Sequence, residues 1–144
     1  MNSKIQFKKL ISLAEMLPHL ELIQMLTPNV DAGAYEHYLK EMIPHNYFQI
    51  IATQNEEVIG LSGYWIATKI YCGKYLEIDN FIVQEKYRSA GIGHAFINWF
   101  EEEAKINSCK LLMLDAYLEN FKAHSFYYRE GFVARGFHFL KHLP

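Results

Sequence analysis

The stretch from Tyr47 to Ile106 constrains the fold more than any other part of the chain. Three β-rich runs follow one another across short turns: "YFQIIATQ" (47–54), "VIGLSGYWIATKIY" (58–71) and "YLEIDNFIVQ" (75–84). Their spacing fits an antiparallel meander. The third run leads through "EKYRSAGIG" (85–93) into "HAFINWFEEEAKI" (94–106), where Ala95, Phe96, Trp99, Phe100 and Ala104 share one helical face. "KLLMLDAYL" (110–118) then reads as a short buried strand. A strand, a helix and a strand in that order imply a right-handed crossover to a parallel neighbour, so a meander carrying one belongs to a mixed sheet.

The flanks complete an α/β pattern without repeats or a linker. "LAEMLPHLELIQML" (13–26) places Leu13, Leu17, Leu20 and Ile23 at helical spacing, interrupted by Pro18 and ended by Pro28. "AYEHYLKEMI" (34–43) repeats the pattern with Tyr35, Tyr38, Leu39 and Met42. Near the C-terminus, "NFKAHSFYYREGF" (120–132) is a helix stopped by Gly131 in the left-handed cap position, and "FVARGFHFL" (132–140) reads as a final strand. A chain of 144 residues fits one compact domain spanning 1–144.

Charge and cysteine usage narrow the partners. The net charge is −2 with no basic run, which argues against a nucleic-acid surface or an anionic-membrane binder and leaves small molecules or peptides. Cys72 and Cys109 lie far apart without CxxC spacing, and "MNSKIQFKKL" lacks an apolar signal core, so a reducing cytoplasm is expected. No apolar run reaches the roughly 18 residues needed to span a bilayer.

Gly91 and Gly93 sit at the strand-to-helix turn after Val83. The first turn of a helix leaves N–H groups unpaired at the positive end of the dipole, and glycine lets a phosphate approach that backbone. Arg88 adds a cation. The same residues also fit an ordinary turn with a solvated arginine. "GIGHAF" lacks the third glycine position of a dinucleotide fingerprint, and no Lys-Ser or Lys-Thr follows as in a triphosphate loop.

"IVQEKYRSAGIG" resembles the acyl-coenzyme-A signature of the GNAT N-acetyltransferase superfamily, a strand and turn followed by (Arg or Gln)-x-x-Gly-x-(Gly or Ala). A second block, "NFKAHSFYYREGF", resembles the family's Asn-x-x-Ala-x-x-(aromatic or Leu)-Tyr-x-x-x-Gly-Phe through Asn120, Ala123, Phe126, Tyr127, Gly131 and Phe132. The likeness covers residues 57 to 133 well; residues 1 to 56 match in their strand, helix, helix, strand order. It implies an α+β fold with a mixed, mostly antiparallel sheet of about six to seven strands and about four helices. It also implies acetyl-coenzyme A as co-substrate, an amine acceptor and no metal.

Carried onto this chain, the resemblance gives the pyrophosphate to the backbone amides of Ala90, Gly91, Ile92 and Gly93, with His94 at the helix start and Arg88 and Ser89 lining the turn. Ile82 and Val83 would meet the pantetheine arm through main-chain hydrogen bonds. Asn120 would touch the coenzyme from the other wall, a role compatible with capping the helix that follows. The reaction is direct attack of an amine on a thioester. An amine of pKa about 10 is mostly protonated at neutral pH, so a proton acceptor is useful. Glu77 and Asp79 alternate along one strand and face one cavity unless a bulge intervenes. Glu77, eleven residues before Arg88, has the spacing of the base in the protein-lysine branch and is slightly favoured; many small-molecule members carry a carboxylate nearer Asp79. Tyr127 takes the family position of the acid that protonates the leaving thiolate, with Tyr128 as packing or surface.

Neither cysteine has a His or Asp partner in view for an acyl intermediate. His138 and His142, in an extended segment, lie about 13 Å apart, too far to share an ion. The acceptor wall is assigned to the N-terminal helices, "WIATKIYCGKY" and "GFHFLKHLP", mixing Trp65, Tyr71, Tyr75, Phe137 and His138 with Glu36 and Glu41. A small-molecule amine and a protein amino group both fit, and a homodimer is left open. The rival reading is a non-catalytic acyl-coenzyme-A sensor or scaffold.

Overall fold

Five strands form one sheet in the order β1-β2-β3-β4-β5 in the structure, a computed structural model that describes residues 4–144. They are β1 (Gln6–Leu10), β2 (Tyr47–Gln54), β3 (Glu57–Lys69), β4 (Gly73–Val83) and β5 (Leu111–Leu114). The first four pair antiparallel, each with the next. Asn55 and Glu56 both take positive φ, 51° and 65°, which is the backbone a two-residue hairpin loop needs to match strand twist. The described chain forms two compact units, one reaching to Met113 and one Leu114–Pro144.

In the first unit, helices cover both faces of the sheet. Helices α1 (Leu13–Met16) and α2 (Leu20–Leu26) are joined by a 3-10 turn, Leu17–His19, that contains Pro18. Ser12 and Glu15 close a capping box on α1, and Asp31 caps α3 (Ala32–Met42). Met16, Leu22, Ile23, Tyr35 and Leu39 from these helices pack with Tyr47, Ile51, Leu61 and Ile82 of the sheet. The other face receives α4 (Ile92–Ile106), whose Phe96 meets Phe7 and Phe81 with ring centroids 5.1 and 5.0 Å away. Gly60 permits this approach, because a Cβ there would lie 3.0 Å from the Phe96 ring. Ile97 and Glu103 join the buried stripe of α4, while Trp99 stays half-buried. Glu103 is satisfied by Lys9 at 2.8 Å and Asn107 at 3.0 Å.

The strand count is lower than the sequence predicts. Residues 132–140 carry no regular structure, and Val133, Phe137, Phe139 and Leu140 are exposed. β-propensity alone makes no strand: the backbone needs a ladder partner, and among the described residues none pairs with this segment. β5 is also shorter and less buried than predicted, with Leu111 exposed and its other residues half-buried. In the second unit, Asn120 caps α5 (Phe121–Arg129), and Gly131 follows with φ 92°, as the left-handed position requires.

Candidate active site

Alternation along β4 puts Glu77 and Asp79 on the same face, the one covered by α1 to α3: Glu77 lies opposite Trp65 and Asp79 opposite Gly63. Immediately beyond Asp79 the register shifts. Gly63 pairs with Asp79 but Leu61 with Ile82, so Asn80 and Phe81 on β4 stand against the single residue Ser62 on β3. This is a β-bulge, with Asn80 in the left-handed region at φ 51°. The bulge returns Ile82 to the Asp79 face and turns Phe81 toward Phe96.

The Asp79 carboxylate is held at both oxygens. Trp65 Nε1–H donates to Oδ2 at 3.0 Å and the Asn80 N–H donates to Oδ1 at 2.9 Å. Trp65 in turn packs against Tyr47 with centroids 4.9 Å apart and the rings tilted by 53°. Tyr47 is buried and its hydroxyl donates to Asn80 Oδ1 at 3.2 Å; burial pushes its pKa well above the ordinary tyrosine range, so it stays a neutral donor. Gly63 makes room for that ring, since a Cβ there would lie 2.2 Å from the Tyr47 hydroxyl. Sequence reasoning named Trp65 only as part of the acceptor wall, and missed Asn80, Tyr47 and Gln49. The signals were present as a glutamine inside the apolar run "YFQIIATQ" and an asparagine inside "DNFIV".

Beyond β4, the loop to α4 is anchored on the β2–β3 hairpin. Glu57 accepts from Lys86 Nζ at 2.9 Å and from the Tyr87 hydroxyl, and these contacts hold its carboxyl below the usual range. Gln84 N–H donates to the Ile59 carbonyl at 2.9 Å. Arg88 folds back so that its Nε–H donates to the Val83 carbonyl at 3.0 Å, fixing the guanidinium beside the strand end. Ser89 and Gly91 are both left-handed, φ 67° and 80°, and Gly91 is the N-cap of α4. Among the described residues no side chain caps this helix, in contrast to α1, α3 and α5. The first-turn N–H groups of Ile92 and Gly93 begin the helix, where the helix itself offers them no acceptor. A Cβ at Gly91 would meet nothing within 4 Å, so the space before the helix is open. A phosphate fits here on dipole, donors and room.

β5 starts beside Lys74, to whose carbonyl the Lys110 N–H donates at 2.7 Å. With four residues against eleven in β4, it leaves part of that strand without a β5 partner, an edge that an extended ligand arm could join.

In the second unit, Asn120 Oδ1 accepts from the Ala123 N–H at 3.2 Å, which is the N-cap role. Tyr127 packs between Phe126 and Phe132, at 5.2 and 5.6 Å between centroids, and burial raises its pKa. Tyr128 is exposed. His138 Nδ1 lies 3.1 Å from Asp115. Among the described residues no three His, Cys, Asp or Glu side chains come together as a metal site. Cys72 sits in the β3–β4 turn, and burial raises the Cys109 thiol, which disfavours a thiolate nucleophile. Of the expected acceptor wall, Tyr75 is buried and Tyr71 exposed, while Glu36 and Glu41 pair with Lys40 and His37 along α3. No helix among the described residues is long and apolar enough to cross a membrane.

These features agree with what the chain is similar to. Residues 16–132 match the sequence model of the acetyltransferase (GNAT) family. Over 124 residues the chain is 27% identical to the aminoalkylphosphonate N-acetyltransferase of Salmonella typhimurium, covering 85% of this chain and 80% of that protein. Its fold is that of the aminoglycoside N-acetyltransferase AAC(6')-Iy, solved in complex with CoA: TM-score 0.83 at 17% identity, over 99% of this chain and 98% of that one. The aminoglycoside 6'-N-acetyltransferase AAC(6')-Ih of Acinetobacter baumannii superposes with TM-score 0.79 at 20% identity, over 98% and 100%.

Proposed function

This chain belongs to the acetyltransferase (GNAT) family, and on that premise we propose how its own residues carry the reaction and which amine it accepts. It is an N-acetyltransferase that uses acetyl-coenzyme A, which sets aside a purely non-catalytic sensor. The family match runs from 16 to 132, through both compact units, which supports reading 1–144 as one catalytic domain.

The amides of Ala90, Gly91, Ile92 and Gly93, with His94 behind them, hold the pyrophosphate at the start of α4. Arg88 and Ser89 flank it, and the main chain of Ile82 and Val83 pairs with the pantetheine arm. Asn120 adds a polar contact while capping α5. Acetyl-coenzyme A supplies an activated thioester to an amine that attacks it directly. Asp79 orients that amine and takes up its proton, directly or through water; Glu77, on the same face, keeps the site acidic toward a cationic acceptor. We favour Asp79 as the base because its two oxygens are oriented by Trp65 and Asn80. Tyr127 delivers the proton that the thiolate needs on leaving, and its raised pKa keeps that proton in place at neutral pH.

The acceptor is a small primary amine, with an aminoalkylphosphonate the first choice. Likeness to the Salmonella enzyme over most of both chains supports it. The observation that carries the whole reading is the uncapped N-terminus of α4 behind left-handed Ser89 and Gly91. Its test is release of free thiol from acetyl-coenzyme A with aminoalkylphosphonates, aminoglycosides, polyamines and lysine peptides side by side. Turnover is expected highest with an aminoalkylphosphonate. A clear preference for a lysine peptide would overturn the small-molecule assignment.

A further inference from the structure

The Asp79 face of the sheet carries a hydrogen-bonded chain that hydrophobic packing does not require. Gln49, at the centre of β2, is fully buried, and its Nε2 donates to the Tyr35 hydroxyl at 2.9 Å and the Tyr47 hydroxyl at 3.2 Å. The Tyr35 hydroxyl donates onward to the Met16 carbonyl at 3.3 Å, and the Tyr47 hydroxyl to Asn80 Oδ1 at 3.2 Å. With both hydroxyl protons committed outward, each tyrosine oxygen can only accept from Gln49. The glutamine must therefore present its NH2 group to both. That orientation leaves its carbonyl Oε1 buried without a donor among the described residues. A buried carbonyl left unmatched disfavours folding, and such groups in native proteins call for a functional account.

The chain runs to one place. It ends on Asn80, whose side chain is fixed by Tyr47 and whose N–H fixes Asp79 Oδ1, in a bulge held at φ 51°. Two unfavourable features, a left-handed non-glycine residue and an unmatched carbonyl, are thus joined by consecutive hydrogen bonds to the carboxylate at the reacting centre. We propose that Gln49 and Tyr47 are positioning residues for catalysis, setting the angle at which Asp79 meets the acceptor amine by locking the Asn80 bulge. The inference rests on the assignment of Asp79 above. It extends the working part of the site to β2 and, through Tyr35, to α3.

Two substitutions separate positioning from packing. Gln49→Met keeps the volume and removes the unmatched carbonyl; Tyr47→Phe keeps the ring that fills the space over Gly63. Each should lower kcat about tenfold, the rate effect of losing one modest orienting interaction, with KM for acetyl-coenzyme A unchanged and the thermal midpoint of Gln49→Met held or raised. Placed in an Asp79→Asn background, neither should slow the enzyme further, because both act through the same carboxylate. A fall in thermal midpoint with wild-type kcat would make the chain structural and overturn the proposal. So would full additivity with Asp79→Asn. A wild type that acetylates no amine would instead sink the parent assignment, a different result from wild-type turnover left intact in both variants.

Discussion

In the proposed mechanism Tyr127 and Asp79 carry opposite halves of the proton traffic, and each half has its own signature. Removing the Tyr127 hydroxyl in Tyr127→Phe keeps its packing on Phe126 and Phe132. The kcat should then fall by roughly 10² to 10⁴, the range for loss of a general acid, while coenzyme affinity stays put; steady-state kinetics with coenzyme titration reads both. A variant with near-normal kcat and only a lower thermal midpoint would return Tyr127 to the core. Asp79→Asn should be slow at neutral pH and recover as pH rises, since the free-amine fraction of an acceptor with pKa about 10 grows about tenfold per pH unit below that value. Glu77→Gln should run nearly parallel to wild type across the same range; recovery in Glu77→Gln and not in Asp79→Asn would exchange the two roles. That Glu77 and Asp79 share one strand face and that Tyr127 lies on the helix after Asn120 were legible in the sequence, because alternation and motif spacing are local properties. The preference for Asp79 was not, because it depends on Trp65 reaching across from β3 and on Asn80 bulging, and register between strands is invisible along one strand.

At the level of elements, the loop between β4 and α4 works because it is tied to the hairpin below it. Glu57 holds Lys86 and Tyr87, whose donated protons lower its carboxyl pKa. The sign follows from that direction. The tie is complete above the ordinary glutamate range and is lost only as pH falls through the lowered folded value, so it is constant across physiological pH. Glu57→Gln should weaken acetyl-coenzyme A binding several-fold in a direct titration, with little change in thermal midpoint for so exposed a pair. Unchanged affinity would show that the loop holds its shape alone. Gly63→Ala should do more harm, costing about 1–3 kcal/mol as an overpacked site and moving the Tyr47 hydroxyl off Asn80; a chemical denaturation curve measures it, and a midpoint equal to wild type would contradict the contact. The meander, the interrupted α1–α2 segment and the caps at Asn120 and Gly131 were all readable from period and turn chemistry. The segment 132–140 shows the limit of that reading: "FVARGFHFL" has the composition of a strand, but a strand exists only where another backbone pairs with it.

For the molecule as a whole, a nearly neutral chain must bind a polyanionic coenzyme. The net charge is −2, and in the proposed site the attraction comes from the dipole and first-turn amides of one helix, helped by Arg88 folded against Val83. Linkage turns that claim into a number. A ligand that binds only the folded state raises stability by about 2.7 kcal/mol at a hundred times its dissociation constant. The decisive measurement is the thermal midpoint of wild type and Gly91→Val, each with and without saturating acetyl-coenzyme A. The account predicts a clear upward shift for wild type and little or none for Gly91→Val, whose branched side chain occupies the open space before α4 and strains a residue at φ 80°. A shift of the same size in both proteins would contradict the cradle and place the coenzyme elsewhere.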